Sequence, residues 1–148
     1  MGIEIYDVTK ENYRDILKLQ VAHSQKDFVE SPYECLVDSV EQNEYRPVGL
    51  YAEGRLVGFA MYGFFPDEKK KGRLWIDRIL IDADEQGKGF GEESMLVLIE
   101  KVTEVYGEQP IYLSVYPDNE GAIYLYKKLG FEFTNEKDIN GEDIMRRD

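Results

Sequence analysis

The sequence predicts a mixed α/β domain, with a mostly antiparallel sheet and helices on both faces. Three observations predict it. Stretches with the two-residue alternation of strands and stretches with helix-spaced apolar residues both recur along the 148 residues. The helical stretches do not alternate strictly with the strands, which excludes a purely parallel, doubly wound sheet. A hydrophobic content of 43%, with 11 Tyr and 7 Phe, excludes a disordered chain. A chain of this length is most simply one domain, here residues 1–148.

The elements follow in order. Ile3 to Val8 alternates Ile3, Ile5 and Asp7 against Glu4, Tyr6 and Val8, as a short strand does. Thr9 can cap a helix starting near Glu11, whose buried stripe is Tyr13, Ile16, Leu17 and Leu19 or Gln20. Ser31 and Pro32 open a second short helix carrying Leu36, Val37 and Val40. Pro47–Ala52 and Arg55–Phe64 are strands joined through Glu53-Gly54, a hairpin signal. A charged turn, Pro66–Gly72, leads to a strand over Arg73–Asp82. A glycine-rich turn then opens a long helix over about Gly89–Tyr106, with Gly91, Met95, Leu98, Val102 and Val105 as its stripe. Ile111–Tyr116 is a strand and Asn119–Leu129 a helix with Ala122, Leu125 and Leu129 buried. Phe131–Asn135 is a strand, and Ile139–Arg146 is a last one entered through Asn140-Gly141.

Charge and rare residues narrow the function classes. The formal net charge is −12, with one His and one Cys. One Cys excludes an intramolecular disulfide framework, and Cys with His are too few for a protein-made zinc site, so no metal is expected. The acidity argues against a nucleic-acid partner and suits a small cationic one. No stretch reaches the ~18 apolar residues of a membrane span, and the N-terminus lacks a basic region followed by an apolar core. A cytoplasmic location with no membrane partner is the expectation. The acids are unevenly spread. Asp27, Glu30, Glu34, Asp38, Glu41 and Glu44 fall in a stretch with no Lys or Arg. This is either a plain acidic exterior or a wall that gathers a polycation.

Two motifs carry chemistry. Gln86-Gly87-Lys88-Gly89-Phe90-Gly91 lies between a strand and a long helix, where backbone N–H groups can be offered to an anion. It is not a P-loop, and Glu92 stands where a dinucleotide fingerprint needs a third glycine. The alternative is an ordinary strand-to-helix turn. Glu92 and Glu93 suit the helix dipole but bring negative charge near such an anion. Downstream, Asn119-x-x-Ala122-x-x-Leu125-Tyr126-x-x-x-Gly130-Phe131 reads as a capped helix closed by glycine, with Tyr126 beside its stripe and free to serve either as a packing aromatic or as a functional group.

Together the two motifs resemble the GNAT superfamily of acetyl-CoA-dependent N-acetyltransferases, and the element order is similar over nearly the whole chain. Within it, Arg46-Pro-Val-Gly-Leu-Tyr51, Val57-Gly-Phe-Ala-Met-Tyr-Gly63 and Trp75-Ile-Asp77-Arg78 look most like bacterial spermine/spermidine acetyltransferases. The resemblance implies a GNAT fold with splayed central strands, acetyl-CoA as co-substrate and, as is common in the family, a homodimer. It implies that the N–H groups of Gly87, Lys88, Gly89, Phe90, Gly91 and Glu92 hold the CoA pyrophosphate. The same resemblance gives Ile79, Leu80 and Ile81 the pantetheine, places Asn119 beside it, and sets Tyr126 near the sulfur. Gln86 falls on the motif.

Acetyl transfer to an amine needs a neutral amine, a donor for the oxyanion and a proton for the departing thiolate. The Leu80 N–H or a neighbour is the expected oxyanion donor, and Tyr126 the general acid. No protein nucleophile is required; Cys35 reads as a small core residue, and His23 as a packing or surface residue. Asp77, two residues before Ile79, is expected on the face of Ile79 and Ile81. It is either ion-paired to an arginine, such as Arg46 or another chain's Arg78, or it faces the acceptor groove and takes up an ammonium group and its proton. The helices bearing Asp27, Glu30 and Glu34 would wall that groove. The expected acceptor is a polyamine; alternatives are another cationic amine (an aminoglycoside, a peptide or a protein) or a CoA-binding module without catalysis.

Overall fold

The computed structural model describes residues 2–20, 33, 35–36, 44–66, 68–69 and 71–148. The expected cap and body of a helix at Ser31, Pro32, Val37 and Val40 lie outside the described residues, as do His23, Asp27, Glu30, Glu34, Asp38 and Glu41.

Seven strands form one sheet in the order β1-β2-β3-β4-β5-β7-β6. They are β1 (Ile3–Asp7), β2 (Arg46–Ala52), β3 (Arg55–Phe65), β4 (Arg73–Ile81), β5 (Ile111–Val115), β6 (Glu132–Lys137) and β7 (Asp143–Arg147). All neighbours pair antiparallel except β4 and β5. Among the described residues, the α-helices with defined bounds are α1 (Tyr13–Leu17), α2 (Phe90–Tyr106) and α3 (Glu120–Lys128). The mixed, mostly antiparallel sheet is thus as the sequence predicts, with two buried clusters on its faces. Val48, Ala60, Tyr62, Leu74 and Ile76 pack with Phe90, Met95, Leu98 and Val102 of α2 and Tyr126 of α3. Phe59, Met61 and Leu80 pack with Ile16, Leu19 and Cys35 on the other side. Cys35 is buried, as a small core residue should be.

Local chemistry explains most boundaries. Glu53 and Gly54, both at positive φ, close the β2–β3 hairpin with Ala52 paired to Arg55. Thr9 accepts from the Glu11 N–H at 3.2 Å and Asn12 Oδ1 accepts from the Thr9 N–H at 2.8 Å, so the chain turns at Thr9. Regular helix nonetheless begins only at Tyr13, later than expected. Its buried contacts are Ile16 and Leu19, while Tyr13, Leu17 and Gln20 are exposed, because one helical turn offers the sheet only a narrow face. On α2 Met95, Leu98 and Val102 are buried as expected, joined by Phe90, Ser94 and Ile99; Gly91 is only partly buried and Val105 is exposed. On α3 the buried residue is Tyr126; Ala122, Leu125 and Leu129 are only partly buried. The last strand starts at Asp143 rather than Ile139. Asp138 Oδ1 holds a turn by accepting from the Asn140 and Glu142 N–H groups, both at 2.9 Å.

Two irregularities of β4 shape the middle of the sheet. Its ladder to β5 comprises Leu74↔Ile111 and Trp75↔Tyr112 alone, after which the strands diverge. Each keeps its other partner, through Gly58↔Ile81 on one side and Val115↔Asp143 on the other. Two strand edges therefore face each other across an opening with backbone groups unpaired between them. The second irregularity is a bulge. Met61 pairs with Arg78 and Tyr62 with Ile76, so Asp77 is an extra residue in β4.

Gly58 keeps the end of β4 close to β3. A Cβ there would run into the Leu80 carbonyl oxygen and lie 3.1 Å from Ile81 Cδ1. Gly58→Ala is expected to destabilise the fold by about 2 kcal/mol, read as a lower urea midpoint. A change under about 0.5 kcal/mol would show that this approach is not tight.

Candidate functional site

The opening between β4 and β5 leads into a cleft of about 290 Å³. Its walls come from the end of β4, the turn into α2 with the first turns of that helix, and, beyond β5, α3 with its cap. Ile79, Leu80, Ile81, Gln86, Gly87, Gly89, Phe90, Gly91, Asn119 and Tyr126, all singled out in the sequence, line this one space. Glu85, Met95, Gly121, Ala122 and Leu125 line it too and were not singled out. Met95, Ala122 and Leu125 are legible in the sequence only as core positions.

The turn after β4 has an open backbone geometry that could hold an anion. Gly87 and Gly89 sit at φ 81° and 84°, and nothing lies within 4 Å of where a Cβ would stand on either. The first helical bond of α2 runs from the Glu93 N–H to the Gly89 carbonyl at 3.2 Å. The N–H groups ahead of it have no helical partner and point out of the helix N-terminus, where the macrodipole favours negative charge. Gln86 does not enter this set as a ligand: its amide donates to the Ile81 carbonyl at 2.8 Å, tying the turn to the strand end.

Three charged side chains at the turn, Glu85, Lys88 and Glu92, are already paired. Glu85 accepts from Arg55 Nε at 2.9 Å, from Arg55 Nη2 at 3.0 Å and from Lys88 Nζ at 2.9 Å. The hydrogen bonds from Arg55 and then Lys88 hold its carboxyl down at about 2. Arg55 thereby clasps the β2–β3 hairpin to the turn, a contact across 30 residues with no sequence signal. Glu92, suspect as a negative charge near a bound anion, is neutralised by Lys128 Nζ at 2.6 Å. The side chains of Lys88 and Glu92 are thus in ion pairs and do not line the cleft.

On the α3 wall, Asn119 Oδ1 caps the helix by accepting from the Ala122 N–H at 3.4 Å. Tyr126 reaches inward, its ring edge-on to Phe131 at 6.0 Å. Burial, and then the negative charge of Glu142, push its hydroxyl up to about 12. Glu142 lies in the β6–β7 turn, and the Ser114 hydroxyl donates to it at 3.5 Å. Its proximity to Tyr126 arises from the return of β7 alongside β5, which no local pattern shows.

Asp77 does not line this cleft, and the bulge corrects its expected orientation. Ile76 and Ile79 belong to the α2-side cluster, while Met61, the partner of Arg78, and Leu80 belong to the α1-side cluster. The extra residue reverses the alternation, so Asp77 does not share the face of Ile79 and Ile81. Neighbouring strand residues normally point to opposite faces. Here Asp77 Oδ2 and Arg78 Nη1 meet at 2.9 Å, each side chain about one-fifth exposed (18% and 20%). Asp77 is therefore paired to the arginine of its own chain. Tyr45, packed on the α1-side cluster, lies beside the pair, its ring centroid 5.4 Å from the Arg78 guanidinium carbon. Burial first, then the Asp77 charge, raise the Tyr45 hydroxyl above its ordinary range, so it remains a donor. Among the described residues no group of three or more His, Cys, Asp or Glu is placed to hold a metal ion, and no helix is long and apolar enough to cross a membrane.

Comparison with known proteins gives the family from a family profile and from curated relatives, and solved structures share the fold. Residues 4–131 match the profile of the acetyltransferase (GNAT) family. The chain is 47% identical to the spermine/spermidine N(1)-acetyltransferase of Bacillus subtilis (strain 168), over 98% of this chain and 97% of that protein. The aminoglycoside acetyltransferase AAC(6')-Ib, solved with coenzyme A and kanamycin, superposes with a TM-score of 0.82 at 18% identity, covering 99% of this chain and 94% of that one. The spermidine N-acetyltransferase of Vibrio cholerae, solved with CoA and spermine, gives 0.72 at 21% identity, covering 98% and 93%.

Proposed function

We propose a polyamine acceptor for this chain, which belongs to the GNAT family of acetyltransferases. It is an acetyl-CoA-dependent N-acetyltransferase. The residues present fit that co-substrate. The open glycine cradle with its free N–H groups suits the pyrophosphate, and the unpaired edges of β4 and β5 suit the extended pantetheine arm, which carries its own amide groups. Acetyl-CoA, when bound, supplies the activated acetyl group as a thioester. Tyr126 holds a proton at its hydroxyl within the cleft, where it can hydrogen-bond an anion that develops there.

The observation that carries the polyamine reading is the 47% identity, sustained over 98% of the chain, to a spermine/spermidine N(1)-acetyltransferase. The superposition on the aminoglycoside enzyme is tighter, but at 18% identity it is a likeness of fold and carries no acceptor. Asp77 supplies the chemistry a polyamine needs: a partly exposed carboxylate on the α1 side of β4, able to bind an ammonium group. An alkylamine is mostly protonated near neutrality, its free pKa being ~10.4. Asp77, directly or through water, is our candidate for receiving its proton.

The test is acetyl transfer from acetyl-CoA to spermidine, spermine and putrescine, with CoA affinity measured alongside by calorimetry. Turnover with at least one is expected. CoA binding without turnover on any of the three would replace this reading with that of a CoA-binding module or of an enzyme for another amine. Asp77→Asn is expected to raise KM for the polyamine by about tenfold, leaving KM for acetyl-CoA unchanged. An unchanged amine KM would remove Asp77 from the acceptor site.

A further inference from the structure

The described charges on the α1 side of β4 include an arginine in contact with the carboxylate to which we assign the acceptor. We propose that Arg78 occupies Asp77 in the free enzyme as a stand-in for the acceptor's ammonium group, and that the amine binds by displacing it. The inference rests on the acceptor reading of Asp77 given above. Three observations carry it.

The first is the bulge, which turns two consecutive residues toward one face and brings Arg78 Nη1 to 2.9 Å from Asp77 Oδ2. A regular strand would have sent Arg78 and Asp77 to opposite faces and left Asp77 without this neighbour. The second is accessibility. The two side chains are 18% and 20% exposed: dry enough for the pair to be strong, open enough for solutes to reach it. The third is that the arginine has somewhere to rest. Its guanidinium carbon lies 5.4 Å from the centroid of the Tyr45 ring, within cation–π range. The guanidinium can therefore leave Asp77 while keeping a favourable partner.

The exchange is balanced in charge: one cation replaces another on the same carboxylate, with no bond made or broken. Arg78 therefore acts as a built-in competitor that lowers the affinity for every amine using Asp77. Without it, Asp77 would be a buried carboxylate lacking this counter-charge, and an entering ammonium group would gain the full pairing.

The experiment compares Arg78→Met, Arg78→Lys and Asp77→Asn with the wild type, with acetyl-CoA affinity measured by calorimetry as a check on folding. Arg78→Met keeps a side chain over Tyr45 and removes the charge; Arg78→Gln replaces it should the Met variant lose acetyl-CoA binding. The expected result is a KM for spermidine lowered about fivefold to tenfold in Arg78→Met, near wild type in Arg78→Lys, with KM for acetyl-CoA unchanged in both. A spermidine KM that is unchanged or raised in Arg78→Met, while Asp77→Asn still raises it, would overturn the inference and leave the acceptor reading standing. An Asp77→Asn variant with wild-type amine KM would overturn both.

Discussion

Tyr126→Phe lowers turnover by about 100-fold or more and leaves KM for acetyl-CoA within about twofold of wild type. Tyr126 is the buried residue of α3, and its ring is fixed against Phe131. Phe keeps that packing, so the cleft and the glycine cradle persist and only the hydroxyl is lost. The hydroxyl is our proposed hydrogen-bond donor to the departing thiolate, and it lines the cleft. Wild-type turnover in Tyr126→Phe would remove the general-acid role. The same group has a signature in stability. Its pKa is raised from 10.0 to about 12 in the folded chain, so between those values the folded state holds the proton more tightly than the unfolded state. The contribution is complete below pH 10.0 and is lost as pH rises toward about 12. Wild type is expected to lose up to about 3 kcal/mol more than Tyr126→Phe across that window, measured by urea denaturation.

Gly89→Val is expected to raise KM for acetyl-CoA at least about tenfold with a smaller effect on turnover. Gly89 precedes α2 at φ 84° and ψ 6°, a conformation that costs a β-branched residue about 1–2 kcal/mol. Space is not the obstacle, since nothing lies within 4 Å of the missing Cβ. The obstacle is that the isopropyl group would stand where an anion must approach the backbone N–H groups, and that relaxing the strain would turn those groups away. An acetyl-CoA KM within about twofold of wild type would mean that the phosphates are held elsewhere.

Much of this was legible in the sequence because it is local. Glu53-Gly54, the glycines after β4 and the Asn119 cap each fix a backbone conformation within a few residues, and the hairpin, the cradle and α3 stand where those signals place them. Ten of the residues singled out for the acetyl-CoA site or for catalysis line one cleft; they come from two motifs, each local, which the sheet brings together across β5. What was not legible depends on pairing between distant segments. The orientation of Asp77 was misread because a bulge is a property of two strands in register, and Tyr62 and Met61 must be set against β4 before the extra residue shows. Arg55 and Glu142 reach the turn and Tyr126 through the sheet order, which single-strand patterns do not encode. The α2 stripe was misassigned at Val105 because helix spacing marks a face without saying how far the sheet extends beneath it.

The measurement that tests the central claim most directly is a competition between spermidine and kanamycin for one preparation of the enzyme at limiting acetyl-CoA, with both acetylated products quantified. Their ratio at equal concentration is the ratio of the two kcat/KM values, independent of enzyme activity. Acetylspermidine is expected in excess by about 100-fold or more. A ratio near one, or an excess of acetylated kanamycin, would contradict the proposal that this chain acetylates polyamines.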